Sequence, residues 1–249
     1  MQLSVIVPML NEADNAVALC TEIHMVLTGA GLQFEILCID DGSTDGTRAT
    51  LQKLIPVMPQ LRVIAHSHRS GQSSAILTGV KAARAEVIAT LDGDGQNDPA
   101  DIPALLQSYW DWVKHYPDQP VMIAGHRQKR RDSLSKRIGS RLANRIRRGL
   151  LHDGTPDTGC GLKVFPRDSY LGFPAFNHNH RYFCALMIRS GGRVLSVAVN
   201  HRPRMAGKSN YGNWGRFLVG IWDMIGVMWL MRRPTRVTAT EIKSENSKK

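Results

Sequence analysis

The sequence predicts an α/β protein with a mainly parallel central sheet. From Leu3 to Leu91 short apolar runs alternate with longer segments of helical character, the links between them are short, and three of the apolar runs end in polar clusters. A β-α-β-α-β-α-β order with tight links is the pattern of right-handed crossovers. In such sheets ligands bind beyond the carboxyl ends of the strands, so Asn11-Glu12, Asp40-Asp41 and Asp92-Asp94 are expected to converge on one edge.

The elements follow in order. Leu3 to Val7 is a short apolar strand closed by Pro8. Asn11-Glu12-Ala13-Asp14 offers capping side chains for a helix to about Leu27, which Gly29-Ala30-Gly31 stops. Phe34 to Ile39 is continuously apolar, as a parallel strand buried on both faces should be. After Asp40-Asp41-Gly42-Ser43-Thr44-Asp45-Gly46-Thr47 a helix runs to about Leu54, and Leu61 to Ala65 is the third strand. Gly71-Gln72-Ser73-Ser74 opens a helix through Ala83, and Glu86 to Leu91 is the strand that delivers Asp92. Asp98-Pro99 is a cap followed by proline at the first helical position, and its helix reaches about His115. Val121 to Ala124 is a strand.

Residues 126–148 then carry ten lysines and arginines, while Leu134, Ile138, Leu142 and Ile146 recur every fourth position, which predicts an amphipathic helix with a basic face. Asp157-Thr158-Gly159-Cys160-Gly161 leads into the apolar Leu162 to Phe165; His180 to Ser190 reads as a helix and Val194 to Val199 as the last strand. Trp214 to Met231 is mostly apolar but holds Arg216 and Asp223. The expected organisation is one domain over 1–211, an amphipathic membrane-associating helix over 212–233, and a disordered polar tail over 234–249.

Composition narrows the function classes. With 43% hydrophobic and 21% charged residues the chain can bury a full core. Lys and Arg outnumber Asp and Glu by 32 to 21, so the net charge of +11 favours anionic partners: phosphorylated small molecules, an anionic membrane surface or nucleic acid. Aromatics are only 6% and do not interleave the basic stretch, which argues against nucleic acid. Within that stretch arginines outnumber lysines, favouring forked phosphate recognition over a merely solvated face. Cys20, Cys38, Cys160 and Cys184 have no ligand spacing and read as buried thiols. No signal peptide and no run of 18 apolar residues is present, so the chain reads as cytoplasmic.

Asp92 and Asp94 lie two apart, on one face of an extended segment, with Gly93 and Gly95 loosening the backbone. Paired oxygen ligands of this kind suit Mg²⁺ or Mn²⁺ with room left for substrate phosphates. An acidic turn is the plain alternative, as capping alone is for Asn11-Glu12 and a turn is for Asp40-Asp41-Gly42. A lone His180 is more often structural, and Trp222 and Trp229 suit an interface.

Pro8-x-x-Asn11-Glu12, Asp40-Asp41-Gly42-Ser43-x-Asp45-Gly46-Thr47, Asp92-x-Asp94-x-Gln96 and Pro99, in this order, resemble family 2 glycosyltransferases. Gly71-Gln72-x-x-Ala75, Gly125-x-Arg127, Lys136-x-x-x-Ser140, Asp157-x-Gly159-Cys160 and Arg204-x-x-Gly207-x-Ser209 extend the match to the polyprenyl-phosphate enzymes, over roughly residues 3–211. The resemblance implies a GT-A fold, a UDP- or GDP-linked sugar donor, a divalent cation and a polyprenyl phosphate acceptor at the cytoplasmic face of the inner membrane. Carried over by position, Pro8, Asn11, Glu12, Asp40 and Asp41 would hold the donor nucleotide. Asp92, Asp94 and Gln96 would surround Mg²⁺ or Mn²⁺ and the diphosphate, and with Arg127 form the catalytic set. Arg127, Lys136, Ser140, Arg204 and Ser209 would hold phosphates of donor and acceptor. Asn210 departs from the family's usual lysine, which puts one phosphate contact in doubt or shifts it to Lys208. Two other functions stay open: transfer to a sugar hydroxyl in surface-polysaccharide assembly, and non-enzymatic binding of nucleic acid or anionic lipid. A homo-oligomer or a membrane partner through the C-terminal helix also stays open.

Overall fold

The computed structural model describes residues 1–127, 149–151, 153–203 and 213–233. The sequence expectations for the basic helix, Lys136, Ser140, Arg204, Ser209 and the tail therefore lie outside the described residues.

Seven strands form one sheet: β1 (Leu3–Met9), β2 (Phe34–Asp40), β3 (Leu61–Ala65), β4 (Val87–Thr90), β5 (Val121–Arg127), β6 (Lys163–Pro166) and β7 (Arg193–Val199), in the order β3-β2-β1-β4-β6-β5-β7. β2 is buried at every position, as its unbroken apolar run requires. Helices α1 (Ala13–Gly29) and α4 (Ile102–His115) pack on one face, where Leu3, Val5 and Val7 meet Ile23, Leu105 and Leu106. Helix α3 (Gln72–Ala82) packs on the other, where Ile6 and Leu37 meet Ile76, Val80 and Phe183. Helix α2 (Thr47–Leu54) lies between β2 and β3 in the chain, and the short α5 (Arg167–Leu171) follows β6.

One strand reverses. β6 is antiparallel to both β4 and β5, whereas β5 and β7 are parallel. Lys163, at the start of β6, pairs with Thr90 at the end of β4. The reversal therefore carries the segment before β6, Asp157 to Gly161, to the same edge as the carboxyl ends of β1, β2 and β4. A parallel strand would have sent it to the opposite edge.

Two local expectations change. The first turn of α1 is not capped by its own side chains; Asp45 Oδ2 accepts from Ala13 N–H (3.2 Å) and Thr47 Oγ1 from Glu12 N–H (2.9 Å), so the loop after β2 supplies the cap. The helix expected from His180 begins as a 3₁₀ turn, Asn179–Tyr182, and becomes α-helical as α6, Phe183–Arg189. The C-terminal helix α7 spans Asn213–Met231, and among its described side chains Val227 is buried while apolar residues also face outward. Trp222 is 73% exposed and Trp229 57%, while the helix's one acidic residue, Asp223, turns toward the protein at 20% side-chain exposure. Among the described residues no helix is long and apolar enough to cross a membrane.

Candidate active site

The loops after β1 and β2 are laced together. Asn11, in the left-handed conformation at φ 56, accepts from Thr44 N–H at 2.9 Å, and its own N–H donates to Ser43 Oγ at 3.0 Å. Asp40 is fully buried and accepts from Ser43 N–H and Arg48 Nε. Burial opposes its ionisation, but Ser43 and Arg48 outweigh it and hold the carboxyl below its ordinary range. Asp41 accepts from Ser70 N–H, Gly71 N–H and His66 Nδ1, each at 2.8 Å. It thereby fastens the turn before α3 across the end of β2. Gly42 makes that crossing feasible: a Cβ there would stand 2.6 Å from the Arg69 backbone nitrogen, and φ is +73. Pro8, Asn11, Glu12, Asp40 and Asp41 thus stand in one laced cradle of loop residues at the ends of β1 and β2.

Asp92 and Asp94 sit beside the cradle. Asp94 Oδ1 accepts from Gln96 N–H, closing a tight turn, and Asn97 Oδ1 accepts from Asp92 N–H. Gly93 packs on Pro8, where a Cβ would come within 2.7 Å of the carbonyl oxygen. Asp92 Oδ1 accepts from Gln72 Nε2 at 2.8 Å. Burial and then the Asp94 charge push the Asp92 carboxyl up, while Lys163 and Arg127 pull it partly back. Two carboxylates crowded in this way are relieved by a cation, so the donor set fits a hard divalent ion. Among the described residues no group of three His, Cys, Asp or Glu side chains converges. A cation held there would take Asp92 and Asp94 from the described residues, with substrate oxygens and water completing its shell. Gln96 reaches the neighbouring loop instead, where its Nε2 points at the Arg202 carbonyl oxygen (3.5 Å).

Arg127 is committed to Asp157. Its Nε and Nη2 donate to the two carboxylate oxygens at 2.7 and 2.8 Å in a largely buried fork. The guanidinium expected to grip phosphates is thus first a clamp on the turn before β6. Burial works against its charge, Asp157 more than restores it, and Asp92 adds to the restoration. Arg202, at the other side, donates to Glu22 and Asp98, tying the end of β7 to α1 and to the Asp94 loop.

Past Asp92 the site opens into a cavity of about 470 Å³. Its walls come from Arg69 to Gln72, Thr158 to Lys163, and Asn177 to Arg181. Among the described residues Asp92 is the one carboxylate on the lining, against Arg69, Lys163 and Arg181 and the imidazoles of His178 and His180. Of the residues expected to hold the donor, Asp92 lines it, and Pro8, Asn11, Glu12, Asp40, Asp41 and Asp94 do not. Lys163 is buried and donates to the carbonyl oxygens of Thr158 and Cys160, which aims its charge along the loop facing Asp92.

Sequence reasoning missed Lys163, Gly161 and the wall from Asn177 to Arg181. A lysine inside the otherwise apolar strand Leu162 to Phe165 was the available signal for the first. The wall had only the weak signal of His180.

A model of the Glycosyl transferase family 2 domain matches residues 4–171. The chain is 30% identical over 240 residues to dodecaprenyl-phosphate galacturonate synthase of Rhizobium johnstonii, covering 95% of this chain and 69% of that one. It is 32% identical over 213 residues to undecaprenyl-phosphate 4-deoxy-4-formamido-L-arabinose transferase of Edwardsiella ictaluri, covering 84% of this chain and 62% of that one. This chain therefore spans about two thirds of the length of these relatives. In fold it is similar to a mannosyltransferase of Pyrobaculum calidifontis in complex with GDP-Man and Mn²⁺ (TM-score 0.60, 20% identity, 84% of this chain and 58% of that one). It is likewise similar to glucosyl-3-phosphoglycerate synthase of Mycobacterium tuberculosis in complex with Mg²⁺ and UDP (TM-score 0.65, 16% identity, 92% and 79% covered).

Proposed function

The chain belongs to glycosyltransferase family 2 and has the GT-A fold, and we propose that it transfers one sugar from a UDP- or GDP-linked donor to a polyprenyl phosphate. The observation that carries this reading is the make-up of the cavity beside Asp92: among the described residues, Arg69, Lys163, Arg181 and two histidines against a single carboxylate. A hydroxyl acceptor has a high pKa and needs a base beside it. A phosphate monoester has a second pKa near ~6 and arrives anionic at neutral pH, so what it needs is cations to place it. The cavity offers cations. The relatives named for dodecaprenyl and undecaprenyl phosphate support the lipid class.

In this reading Pro8, Asn11, Glu12, Asp40 and Asp41 shape the nucleotide cradle, and Asp92 and Asp94, with Gln96 beside them, face the diphosphate. A divalent cation held there, Mg²⁺ or Mn²⁺, would neutralise charge on the departing diphosphate. Gln72 and Gly161 fix the Asp92 carboxylate from two sides. Arg69, Lys163 and Arg181 turn an anionic acceptor toward the anomeric carbon, joined by Arg127, Lys136, Ser140, Arg204 and Ser209. Displacement is direct and single, with inversion and no covalent sugar intermediate. Asp157 is no spare base, since both its oxygens accept from Arg127.

The protein works at the cytoplasmic face of the inner membrane, attached peripherally. The exposed Trp222, Ile225 and Trp229 and the net charge of +11 support attachment to anionic lipid.

One observation favours a second reading. His178 lines the cavity and its Nδ1 donates to Asp223 Oδ2 at 3.2 Å, a pairing that suits a general base for a hydroxyl acceptor. Incubation with a panel of UDP- and GDP-sugars plus undecaprenyl phosphate, followed by mass spectrometry of the lipids, separates the two. A sugar–phosphate–lipid product is expected. Transfer only to sugar hydroxyls would overturn the phosphate reading.

A further inference from the structure

The C-terminal helix is oriented against the usual rule for a surface helix. Its described apolar residues Trp222, Ile225 and Trp229, spaced three and four apart, form an exposed stripe. Asp223, its one acidic residue, faces inward and meets His178 at 3.2 Å. The same inner face holds the protein body at three further points. Tyr182 Oη donates to the Gly220 carbonyl oxygen at 3.3 Å, and Val227 is buried among Phe183, Leu186 and Met187. Arg189 donates to the carbonyl oxygens of Leu230 and Arg233 at 2.8 and 3.0 Å.

Two of those points lie on the segment that walls the cavity, Asn177 to Tyr182. His178 holds a left-handed backbone at φ 65, unfavourable for a residue with a Cβ and kept only where the surroundings enforce it. Asn177 Oδ1 accepts from the His178 N–H at 3.0 Å, and Asp223 holds the His178 ring from the other end. Two residues on, His180 Nδ1 and Ser73 Oγ are hydrogen-bonded at 2.7 Å, so the wall is strung between α3 and the C-terminal helix. A displacement of that helix is transmitted to the wall, because helices move as units.

The outer stripe fits one partner. Two tryptophans and an isoleucine are followed by Arg232 and Arg233, with the Arg233 guanidinium 5.3 Å from the Trp229 ring. Apolar rings beside exposed cations on a chain of net charge +11 match an anionic lipid surface.

We propose that Asp223 is a positioning residue: through His178 it sets the Asn177–Arg181 wall, so that lipid contact by the Trp222, Ile225 and Trp229 face shapes the acceptor pocket. This rests on the polyprenyl-phosphate reading for its purpose, though not for its mechanics. Membrane contact and acceptor capture become one event, and a donor bound away from the membrane meets an imperfect pocket.

The test adds phosphatidylethanolamine–phosphatidylglycerol vesicles, free of prenyl phosphate, to the intact protein. Two readouts follow: amide hydrogen exchange of residues 177–182, and turnover of a short-chain prenyl phosphate that stays in solution. In the wild type, vesicles should slow exchange in that segment and raise kcat/KM for the soluble acceptor at least about fivefold, within the usual range of coupling between sites. Asp223→Asn should still bind vesicles but lose both responses, and Asp223→Glu should recover part of them. Trp222→Ser with Trp229→Ser should lose vesicle binding itself. Exchange at 177–182 that ignores vesicles in the wild type overturns the coupling, even where lipid product forms. Vesicle responses in Asp223→Asn equal to wild type overturn it too, as does lost turnover with the exchange response intact, which would make Asp223 a proton partner. Coupled exchange without transfer to any prenyl phosphate leaves the coupling standing and sinks the acceptor reading instead. Because exchange is read on folded protein, a variant that does not fold is replaced by His178→Asn, which breaks the same link.

Discussion

Gly161→Ala tests the geometry around Asp92 most directly. A Cβ at position 161 would stand 2.6 Å from Asp92 Oδ1 and closer still to Oδ2 and Cγ. Ordinary contact begins at 3.4 Å, so clearing the nearest oxygen requires the carboxylate to retreat by about 1.1 Å. Gly161 cannot retreat in its place, because its carbonyl oxygen accepts from Thr90 Oγ1 at 2.7 Å at the end of β4. Nor is its backbone in the left-handed region, so alanine adds no strain of its own. The change therefore falls on Asp92, costing the Gln72 hydrogen bond and moving a metal-facing oxygen. A misplacement of about 1 Å costs on the order of 100-fold in rate. We expect Gly161→Ala to lower kcat/KM by ~30- to 100-fold and to weaken Mn²⁺-dependent nucleotide binding, measured by calorimetry. The melting temperature should change far less than the rate. Gly29→Ala, with open space around its Cβ, serves as the control and should be neutral. A folded Gly161→Ala with wild-type metal affinity and turnover would refute the placement of Asp92 at the reacting end of the site.

Excess EDTA should abolish turnover and Asp94→Asn should cost at least ~100-fold, whereas full activity in EDTA would remove the metal from the mechanism. Asp157→Asn breaks a buried fork with Arg127 and should lower stability by about 3 kcal/mol in chemical denaturation. Its lost activity should not return on raising the pH, and rescue at high pH would make Asp157 a base. Glu35 gives the acid-stability prediction: burial raises its carboxyl pKa, but Ser4, Arg62 and the Arg84 N–H together lower it below the ordinary 4.5. A depressed carboxylate contributes stability that is present above its unfolded pKa and lost as pH falls through the folded one. Glu35→Gln should therefore be less stable than wild type at neutral pH, with the difference shrinking below about pH 4.5; a gap unchanged down to pH 2 would show that the carboxylate's charge is not what matters. High salt should release much of the protein from anionic vesicles, and release by detergent alone would mean deep insertion or a membrane partner.

The half of the fold read best from the sequence is the half built from consecutive strands. Leu3 to Leu91 alternates strand and helix, and three of its four strand ends announce themselves by an abrupt change from apolar residues to Asn, Asp or Glu. The work those carboxylates do was less legible. Asp41 reads as a nucleotide ligand, and the structure shows it also fastening the turn before α3 through His66 and two backbone N–H groups. Arg127 reads as a phosphate grip and is forked onto Asp157. Pairings between residues 25 to 30 positions apart leave no periodic trace, because each partner looks in isolation like any charged loop residue. The orientation of the last helix was hidden for a related reason. Composition gives an apolar segment with one Asp, but the side that Asp223 takes depends on His178, 45 positions earlier.

The two sides of the site differ in how they are put together, and the difference bears on what each can recognise. In the proposed reading the donor side uses the ends of β1, β2 and β4, locked in register by parallel pairing from Leu3 to Thr90. The acceptor side draws on three segments that the sheet brings together only after the chain reverses at β6, and its outer wall hangs on a helix 40 residues further along. A rigid donor side suits a ligand that is the same in every turnover, a nucleotide on a cation. A wall suspended between Ser73 and Asp223 suits a ligand whose long apolar tail remains in a membrane while only its phosphate enters. The acceptor's identity is thus expected to follow the residues at 177–181 and the C-terminal helix. Exchanging those two segments together for those of a relative should alter acceptor chain preference while leaving the nucleotide preference where it was. Exchanging the helix alone should do neither cleanly, since its Asp223 would then face a wall it was not built to hold.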